Sequence, residues 1–169
     1  MQRLLLLIFY LFIFSFTFSF KAQAACTVGG VEYKQIGDPS GTEITLQFIR
    51  NWSEGDDVTT CDVSSITNMS MAFLGKTSFN QDIGLWDMSN VTNAYGMFFG
   101  ATSFNQASIN KWDVSNITSF GSMFNNTNFN QSLNDWNTSG ATDFTYMFYN
   151  SGFNGAVSYT HLRAHETPR

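Results

Sequence analysis

Few side chains in this sequence could carry acid, base or nucleophilic chemistry. Between Ala25 and Gly155 there are 12 carboxylates, 4 cations and no histidine. Asp87 and Asp113 stand at the same place of a repeated pattern, so stacked repeats would bring two carboxylates close together. Such a pair could bind a cation, but we favour solvated carboxylates that cap turns. Without a histidine to activate a serine, the sequence predicts no catalytic residues, no metal and no cofactor, and hence no enzyme.

The charge balance limits the partners. The same stretch has a net charge of −8, whereas binding to nucleic-acid phosphates or to an anionic membrane surface needs a basic patch. Nucleic acid is therefore not an expected partner, and a membrane is expected only through an N-terminal segment or a lipid. Both histidines, His161 and His165, lie in a C-terminal stretch of different composition.

Two cysteines, Cys26 and Cys61, could be covalently joined. An even number of cysteines in a secreted chain predicts a disulfide. Closing a loop of this length stabilises the folded state by about 3–4 kcal/mol in the chain-entropy model. Two free thiols are the alternative.

A repeat positions these side chains. Its units occupy residues 61–85, 86–111, 112–135 and 136–155, and the last is cut short. The second unit has an extra residue after "FNQ", at Ala107 or a neighbour, and the third lacks one before "NFNQ". Length changes between fixed apolar positions are typical of loop insertions in a repeat array.

Every unit predicts the same three elements. Apolar residues first recur with the spacing of a short strand, as at Ile83, Trp86, Met88 and Val91. A Ser-Asn-x-Thr stretch then precedes a one-sided helix of about two turns, and a Phe-Asn corner follows. The residues predicted to form the repeat core are Trp86, Met97, Phe98, Phe104, Trp112, Met123, Phe124, Phe129, Trp136, Met147, Phe148 and Phe153.

No unit could bury its apolar face alone, whereas stacked units cover one another. The sequence therefore predicts an α/β repeat fold, a leucine-rich-repeat-like solenoid with a short strand and a short helix per coil and aromatic columns in its core. The asparagines beside the recurrent phenylalanines are predicted to form an inward amide ladder that bonds backbone groups. A surface role for them is the alternative.

Residues 25–60 are predicted to cap the first repeat. Alternating residues in "VGGVEYKQI" and "EITLQFIRNW" flank a turn at "GDPSGT", which is typical of a β-hairpin. Cys61 takes the place that tryptophan fills in the later units. A disulfide to Cys26 would therefore join this cap to the first coil.

Residues 1–24 are predicted to be a secretory signal peptide. An apolar run, Leu4 to Phe20, is followed by Ala22-Gln23-Ala24, which fits the small-x-small cleavage pattern; cleavage after Ala25 is the variant. An uncleaved membrane anchor and a lipoprotein with a lipid on Cys26 are the alternatives. The prediction places the protein outside the cell, either secreted or on the cell surface.

Residues 156–169 are excluded from the fold. Val157 to Thr167 match, residue for residue, the translation of a transposase-type sequencing-library adapter, and they resemble no part of the repeat. We interpret the stretch as an assembly artefact. We accordingly expect the chain to be a fragment of a longer protein.

The stretches "WDVSNITSFGSMF" and "ATSFNQ" resemble the BspA-type leucine-rich-repeat surface proteins, whose repeat of roughly 25 residues also occurs in mycoplasma surface lipoproteins. The resemblance covers residues 61–155. It departs at Cys61 and Ala72-Phe73 in the first unit and at Asn137-Thr138 in the fourth. It implies a secreted or cell-surface protein of adhesion or binding type, with no catalytic motif.

Two functional classes remain. The first is a module whose exposed face binds an unknown protein or glycan, and the resemblance favours it. The second is a structural spacer or coat that binds nothing specific. Exposed aromatic side chains would favour the first class. Tyr95, Tyr146 and Tyr149 are the candidates, although their spacing predicts partial burial in the core.

Overall fold

A computed structural model describes residues 26–36 and 42–154. The predicted signal peptide at 1–24 and the adapter-like tail at 156–169 lie outside these residues, as does most of the predicted turn at "GDPSGT". The described residues hold the whole of the repeat up to residue 154.

Regular secondary structure is confined to short elements. Strands β1 (Thr27–Val28) and β2 (Val31–Glu32) pair antiparallel. The turn between them consists of Gly29 and Gly30, whose φ angles of 60° and 77° suit glycine. Helix α1 spans Leu46–Arg50, and a 3-10 helix, η1, spans Ala107–Lys111. Elsewhere the described chain runs through turns and isolated bridges.

The predicted long hairpin is wrong in both strands: "VGGVEYKQI" holds the Gly29-Gly30 turn and strand β2, and "EITLQFIRNW" holds helix α1. Thr45 caps this helix: its Oγ1 accepts a hydrogen bond from the Phe48 amide at 3.3 Å. The expected alternation fails because the buried positions follow a helical period. These positions are Ile44, Phe48, Ile49 and Trp52.

Residues 61–154 follow the repeat as four coils, numbered 1 to 4, which begin at residues 61, 86, 112 and 136. One position in each coil forms a parallel bridge to the same position in the next coil. The bridged residues are Asn68, Asn93, Ser119 and Asp143 in turn. The coils are therefore stacked in register with the sequence repeat.

We call the seven residues that follow each bridge the turn segment (residues 69–75, 94–100, 120–126 and 144–150). Their backbone amides form a ladder of hydrogen bonds to the next coil. In coil 2, alternate amides from Ala94 to Gly100 donate to coil 3 carbonyls at 2.8–3.0 Å. The equivalent amides of coil 1 donate to coil 2, and those of coil 3 to coil 4. Amides between them close turns within the coil, as from Met97 to the Ala94 carbonyl.

The turn segments stand where the sequence predicts short helices. Left-handed residues recur every four positions, at Gly96 and Gly100 in coil 2 with φ angles of 60° and 71°. A left-handed residue directs the backbone out of an α-helix. The apolar residues spaced three and four apart therefore lie on successive turns and not on one helix. The one-sided burial is still present, since Ala94, Met97 and Phe98 are all buried.

Two columns of phenylalanine rings run through the core. Successive ring centroids of the first column are 5.6 Å apart. Within each coil the two columns stack on each other at 3.8–4.2 Å. Each such pair stabilises by about 0.5–1.5 kcal/mol beyond the area that it buries. The first column is Phe73, Phe98, Phe124 and Phe148, and the second is Phe79, Phe104, Phe129 and Phe153.

The tryptophan that opens coil 3 or coil 4 bonds across the intervening coil, to the residue three positions before the preceding tryptophan. Trp112 Nε1 donates to the Ile83 carbonyl at 3.1 Å, and Trp136 Nε1 donates to the Ile109 carbonyl at 2.8 Å. The indole of Trp86 makes the same kind of bond to the chain before coil 1. All three side chains are buried, so each indole N–H needs such a partner.

The chain before residue 61 covers coil 1. A disulfide joins Cys26 to Cys61, with their Cα atoms 4.9 Å apart, and both residues are fully buried. Gln35 forms an antiparallel bridge to Cys61. Trp52 packs edge-on against Phe79, 5.0 Å between ring centroids, so it extends the second ring column into this cap.

The residue added to the second unit lies in η1, Ala107–Lys111. Coil 1 makes room for this helix at Gly84, where a Cβ would lie 2.3 Å from the Ser108 Cβ. Glycine is required there because the helix approaches the backbone closely.

In coil 3, which is one residue shorter here, a side-chain hydroxyl makes the hydrogen bonds that a backbone amide and carbonyl make in coil 2. In coil 2 one residue, Ala101, makes both backbone turn bonds between the two stacked phenylalanines. In coil 3 the Thr127 Oγ1 donates to the Phe124 carbonyl at 2.8 Å and accepts from the Phe129 amide at 3.3 Å. Ser151 makes the same pair of bonds in coil 4. In coil 3 the side chain thereby satisfies two backbone groups that would otherwise be unpaired, whereas in coil 4 the Phe148 carbonyl also accepts the Ser151 amide at 3.2 Å.

Thr127→Val is expected to lower the free energy of unfolding by about 2–4 kcal/mol, because it leaves a buried carbonyl and a buried amide without partners. Thr127→Ser retains the hydroxyl and is expected to cost under about 1 kcal/mol. Urea unfolding followed by tryptophan fluorescence measures both.

Thr92→Val is the matched control. Thr92 is exposed, and its own amide already donates to the carbonyl that its hydroxyl contacts. An equal loss of stability in Thr92→Val and Thr127→Val would contradict the bridging role of the buried hydroxyl.

Candidate functional site

The asparagines of the Phe-Asn corners form a ladder, but it faces solvent. Asn105 N donates to Asn80 Oδ1 and Asn130 N donates to Asn105 Oδ1, both at 2.9 Å; Asn154 continues the series. The predicted bonding of amides to backbone groups is present, whereas the predicted inward direction is wrong, because these residues are exposed. Their carbonyl oxygens are committed to the next coil.

The recurrent threonines form a second exposed ladder. The amide and the hydroxyl of Thr118 both donate to the Thr92 carbonyl, at 2.9 and 3.0 Å. Thr92 and Thr142 repeat this arrangement with the coils before them. These side chains support the stacking of coils and do not converge on a site.

The recurrent aspartates cap turns. Asp87 Oδ1 accepts from the Ser89 amide, and Asp113 Oδ1 accepts from the Ser115 amide, both at 3.0 Å. Asn137 stands at the same position of coil 4 and accepts from its own i+2 amide at 3.2 Å. Because a neutral amide does the same work, the position requires a hydrogen-bond acceptor rather than a charge.

Hydrogen bonds lower the pKa of two exposed carboxyls, those of Asp113 and Asp82. The pKa of Asp113 lies below its ordinary value because the hydroxyl and the amide of Ser115 both donate to it. The pKa of Asp82 is lowered by the Ser108 hydroxyl, which donates at 2.6 Å, and by the Gly84 amide. These bonds favour the charged form.

The acidic loop at 53–60 has a structural task. Asp56 accepts from the Ser53 amide at 2.8 Å and from the Gly29 amide at 2.9 Å. It thus ties the β1–β2 turn to the loop before coil 1. Within the described residues, no group of three histidine, cysteine, aspartate or glutamate side chains is placed to hold a metal ion.

Three tyrosines of the turn segments have exposed side chains. Tyr95, Tyr146 and Tyr149 are 40%, 62% and 61% exposed. Tyr95 is therefore more than half buried, against Gly121 of coil 3. Tyr146 and Tyr149 are mostly exposed on coil 4, the last described coil, whereas Ser122 and Asn125 at the same positions of coil 3 are buried. The Tyr146 and Tyr149 rings meet edge-on at 5.6 Å. We call Tyr95, Tyr146 and Tyr149 the tyrosine face.

Two neighbouring features shape the tyrosine face. A Cβ at Gly121 would lie 2.9 Å from Tyr95 Cδ2, so glycine lets the ring approach the backbone of coil 3. Met71 and Leu74 occupy the turn segment of coil 1 and are also exposed. Five of the eight exposed large hydrophobic side chains of the described residues therefore lie on turn segments.

Backbone strain accompanies two of these side chains. Met71 and Tyr146 are left-handed, with φ angles of 57° and 55°, at a position that glycine fills in coil 2. A left-handed conformation costs a residue with a Cβ roughly 1–2 kcal/mol.

The lowered pKa values of Asp82 and Asp113 contribute to the pH dependence of stability in the acid range. Because the pKa values of Asp82 and Asp113 are lower in the folded than in the unfolded chain, their contribution is present above about pH 4 and is lost as the pH falls further. Urea midpoints measured at steps from about pH 6 to about pH 2 are expected to decline over this acid range.

Asp113→Asn is expected to keep the turn, as Asn137 does, and to flatten the acid part of this curve. Glu54→Gln removes the same charge from an exposed loop and is the control. A curve for Asp113→Asn that runs parallel to the unsubstituted protein, or a flattening equal to that of Glu54→Gln, would contradict the assignment.

Comparisons with known proteins identify a family. The profile of the family described as "Mycoplasma protein of unknown function, DUF285" matches residues 42–159, which is more than half of the 169 residues. No curated protein and no solved structure matches the chain. Among the described residues, no helix is long and apolar enough to cross a membrane. The matched range takes in α1 and all four coils, so the chain belongs to the DUF285 family.

Proposed function

We propose that this protein is a non-enzymatic recognition module outside the cell, in which the tyrosine face binds a protein or a glycan. The observation that carries the proposal is the row of large side chains exposed on turn segments: Met71 and Leu74 in coil 1 and Tyr95 in coil 2, with Tyr146 and Tyr149 on the last described coil. Tyrosine supplies a large apolar ring and a polar hydroxyl at low cost in conformational entropy, which suits a binding surface.

We propose further that the coils form a leucine-rich-repeat solenoid of the BspA type. The support is the in-register parallel bridges at residues 68, 93, 119 and 143, together with the continuous ring columns. A solenoid places the turn segments of all its coils side by side. Side chains far apart in the sequence then contribute to one continuous surface.

The disulfide supports a location outside the cell, because such bonds persist in oxidising compartments. It also bears on the anchoring. A bond to Cys61 and a thioether-linked lipid each use the Cys26 sulfur, so the pairing seen here favours the secreted form over the lipoprotein. The predicted signal peptide agrees with this location.

The same geometry favours recognition over a catalytic or a purely structural role. The recurrent aspartates, asparagines and threonines are occupied in turns and ladders, which leaves few polar groups to converge on a substrate. Met71 and Leu74 on coil 1 and Tyr95 on coil 2 leave apolar surface exposed, which favours recognition over a spacer.

A double variant, Tyr146→Ser with Tyr149→Asn, tests the proposal. It copies the residues that coil 3 has at these positions, Ser122 and Asn125, so the fold is expected to be retained. Binding is measured on a printed glycan array and on immobilised extracellular-matrix glycoproteins. The expected result is saturable binding to at least one ligand that the double variant weakens by roughly tenfold or more.

Leu85→Ser is the control, since Leu85 is exposed outside the turn segments and its loss should leave binding unchanged. Binding that the tyrosine variant does not weaken would refute the assignment of the face. The absence of any saturable ligand would favour the spacer.

A further inference from the structure

A cleft of about 350 Å³ lies between the end of α1 and the turn segment of coil 1. Its lining residues combine two cations with three apolar side chains. The cleft is open to solvent, and the buried Ala72 forms part of its floor. The lining residues are Arg50, Met71, Ala72, Leu74 and Lys76.

The two cations have no carboxylate partner among the described residues, where both ion pairs belong to Lys34. One Nη of Arg50 donates to the Ser70 carbonyl at 2.6 Å, and its buried Nε has no partner. This single contact leaves most of the guanidinium donors of Arg50 available. In a chain of net charge −5, two unpaired cations beside one cleft form a local site for an anion.

The apolar lining sets a second requirement. Met71 and Leu74 are 40% and 47% exposed, so an occupant that covers them removes apolar surface from water. The occupant must therefore carry a negative charge next to a small apolar group. Three apolar side chains in an open cleft are too few to cover a long acyl chain, whereas they suffice for one side chain whose backbone stays hydrated.

We propose that this cleft binds the C-terminal carboxylate of a peptide whose last side chain is apolar. Arg50 forms a bidentate pair with the carboxylate, since a guanidinium matches carboxylate geometry. Lys76 adds a second charge-assisted bond, and the terminal side chain packs on Met71 and Leu74. The site is separate from the tyrosine face and does not depend on the function proposed for it.

Fluorescence anisotropy of the full chain with fluorescein-Gly-Gly-Ser-Leu tests the proposal. The peptide with a free carboxylate is expected to bind about tenfold tighter than the same peptide as its C-terminal amide, as loss of a charge-assisted bond implies. Equal binding of the two forms, or binding of neither, would overturn the proposal. Displacement by hexanoate at lower concentration than by unlabelled peptide would show a fatty-acid site and would also overturn it.

Lys76→Met is expected to weaken the free-carboxylate peptide by about tenfold, because it keeps the apolar stem and removes the charge. Lys111→Met removes the same charge from η1 and should leave binding unchanged. Equal losses in the two variants would show general electrostatic attraction instead of the cleft. The Tyr146→Ser, Tyr149→Asn variant should bind the peptide as the unsubstituted protein does, which separates this test from that of the tyrosine face.

Discussion

The structure depends on hydrogen bonds that backbone amides make to the next coil instead of within a helix. In each turn segment, alternate amides point along the stack, as from Phe98 to the Met123 carbonyl at 3.0 Å. This requires left-handed residues at fixed intervals, such as Gly96 and Gly100. Ring spacing, tryptophan bonding and side-chain ladders all follow from the separation of the coils that these bonds set. The energetic unit is therefore the junction between coils, which is the general property of stacked repeats.

The sequence repeats because each junction between coils needs the same hydrogen-bonding side chains, and not only because the core needs the same apolar ones. Asparagine and threonine recur on the surface because their side chains bond to the backbone of a neighbouring coil, as Asn80 and Thr118 do. Thr127 shows the same logic where the repeat changes length, since its hydroxyl makes the bonds that a missing residue would have made. Asparagine and threonine are thus required at these surface positions because their side chains pair backbone groups that would otherwise lack a hydrogen-bond partner.

Apolar spacing in the sequence reports burial directly, and most of the residues predicted for the repeat core are buried, whereas Phe148 and Phe153 are half-buried. It could not distinguish a helix from successive turns, since offsets of three and four fit both, and the deciding left-handed positions are glycine only in some coils. Met71 and Tyr146 hide that signal. The cleft beside Arg50 was also invisible, because it joins residues more than 20 positions apart through a helix that had been predicted as a strand.

Both candidate binding surfaces include residues of turn segments, so they depend on the backbone hydrogen bonding of those segments. NMR scalar couplings across hydrogen bonds measure it most directly, because they connect a donor nitrogen to its acceptor carbonyl carbon. The account predicts couplings from the Phe98 amide to the Met123 carbonyl and from the Gly96 amide to the Gly121 carbonyl. A coupling from the Phe98 amide to the Ala94 carbonyl would reveal an α-helix in this stretch and would contradict the account.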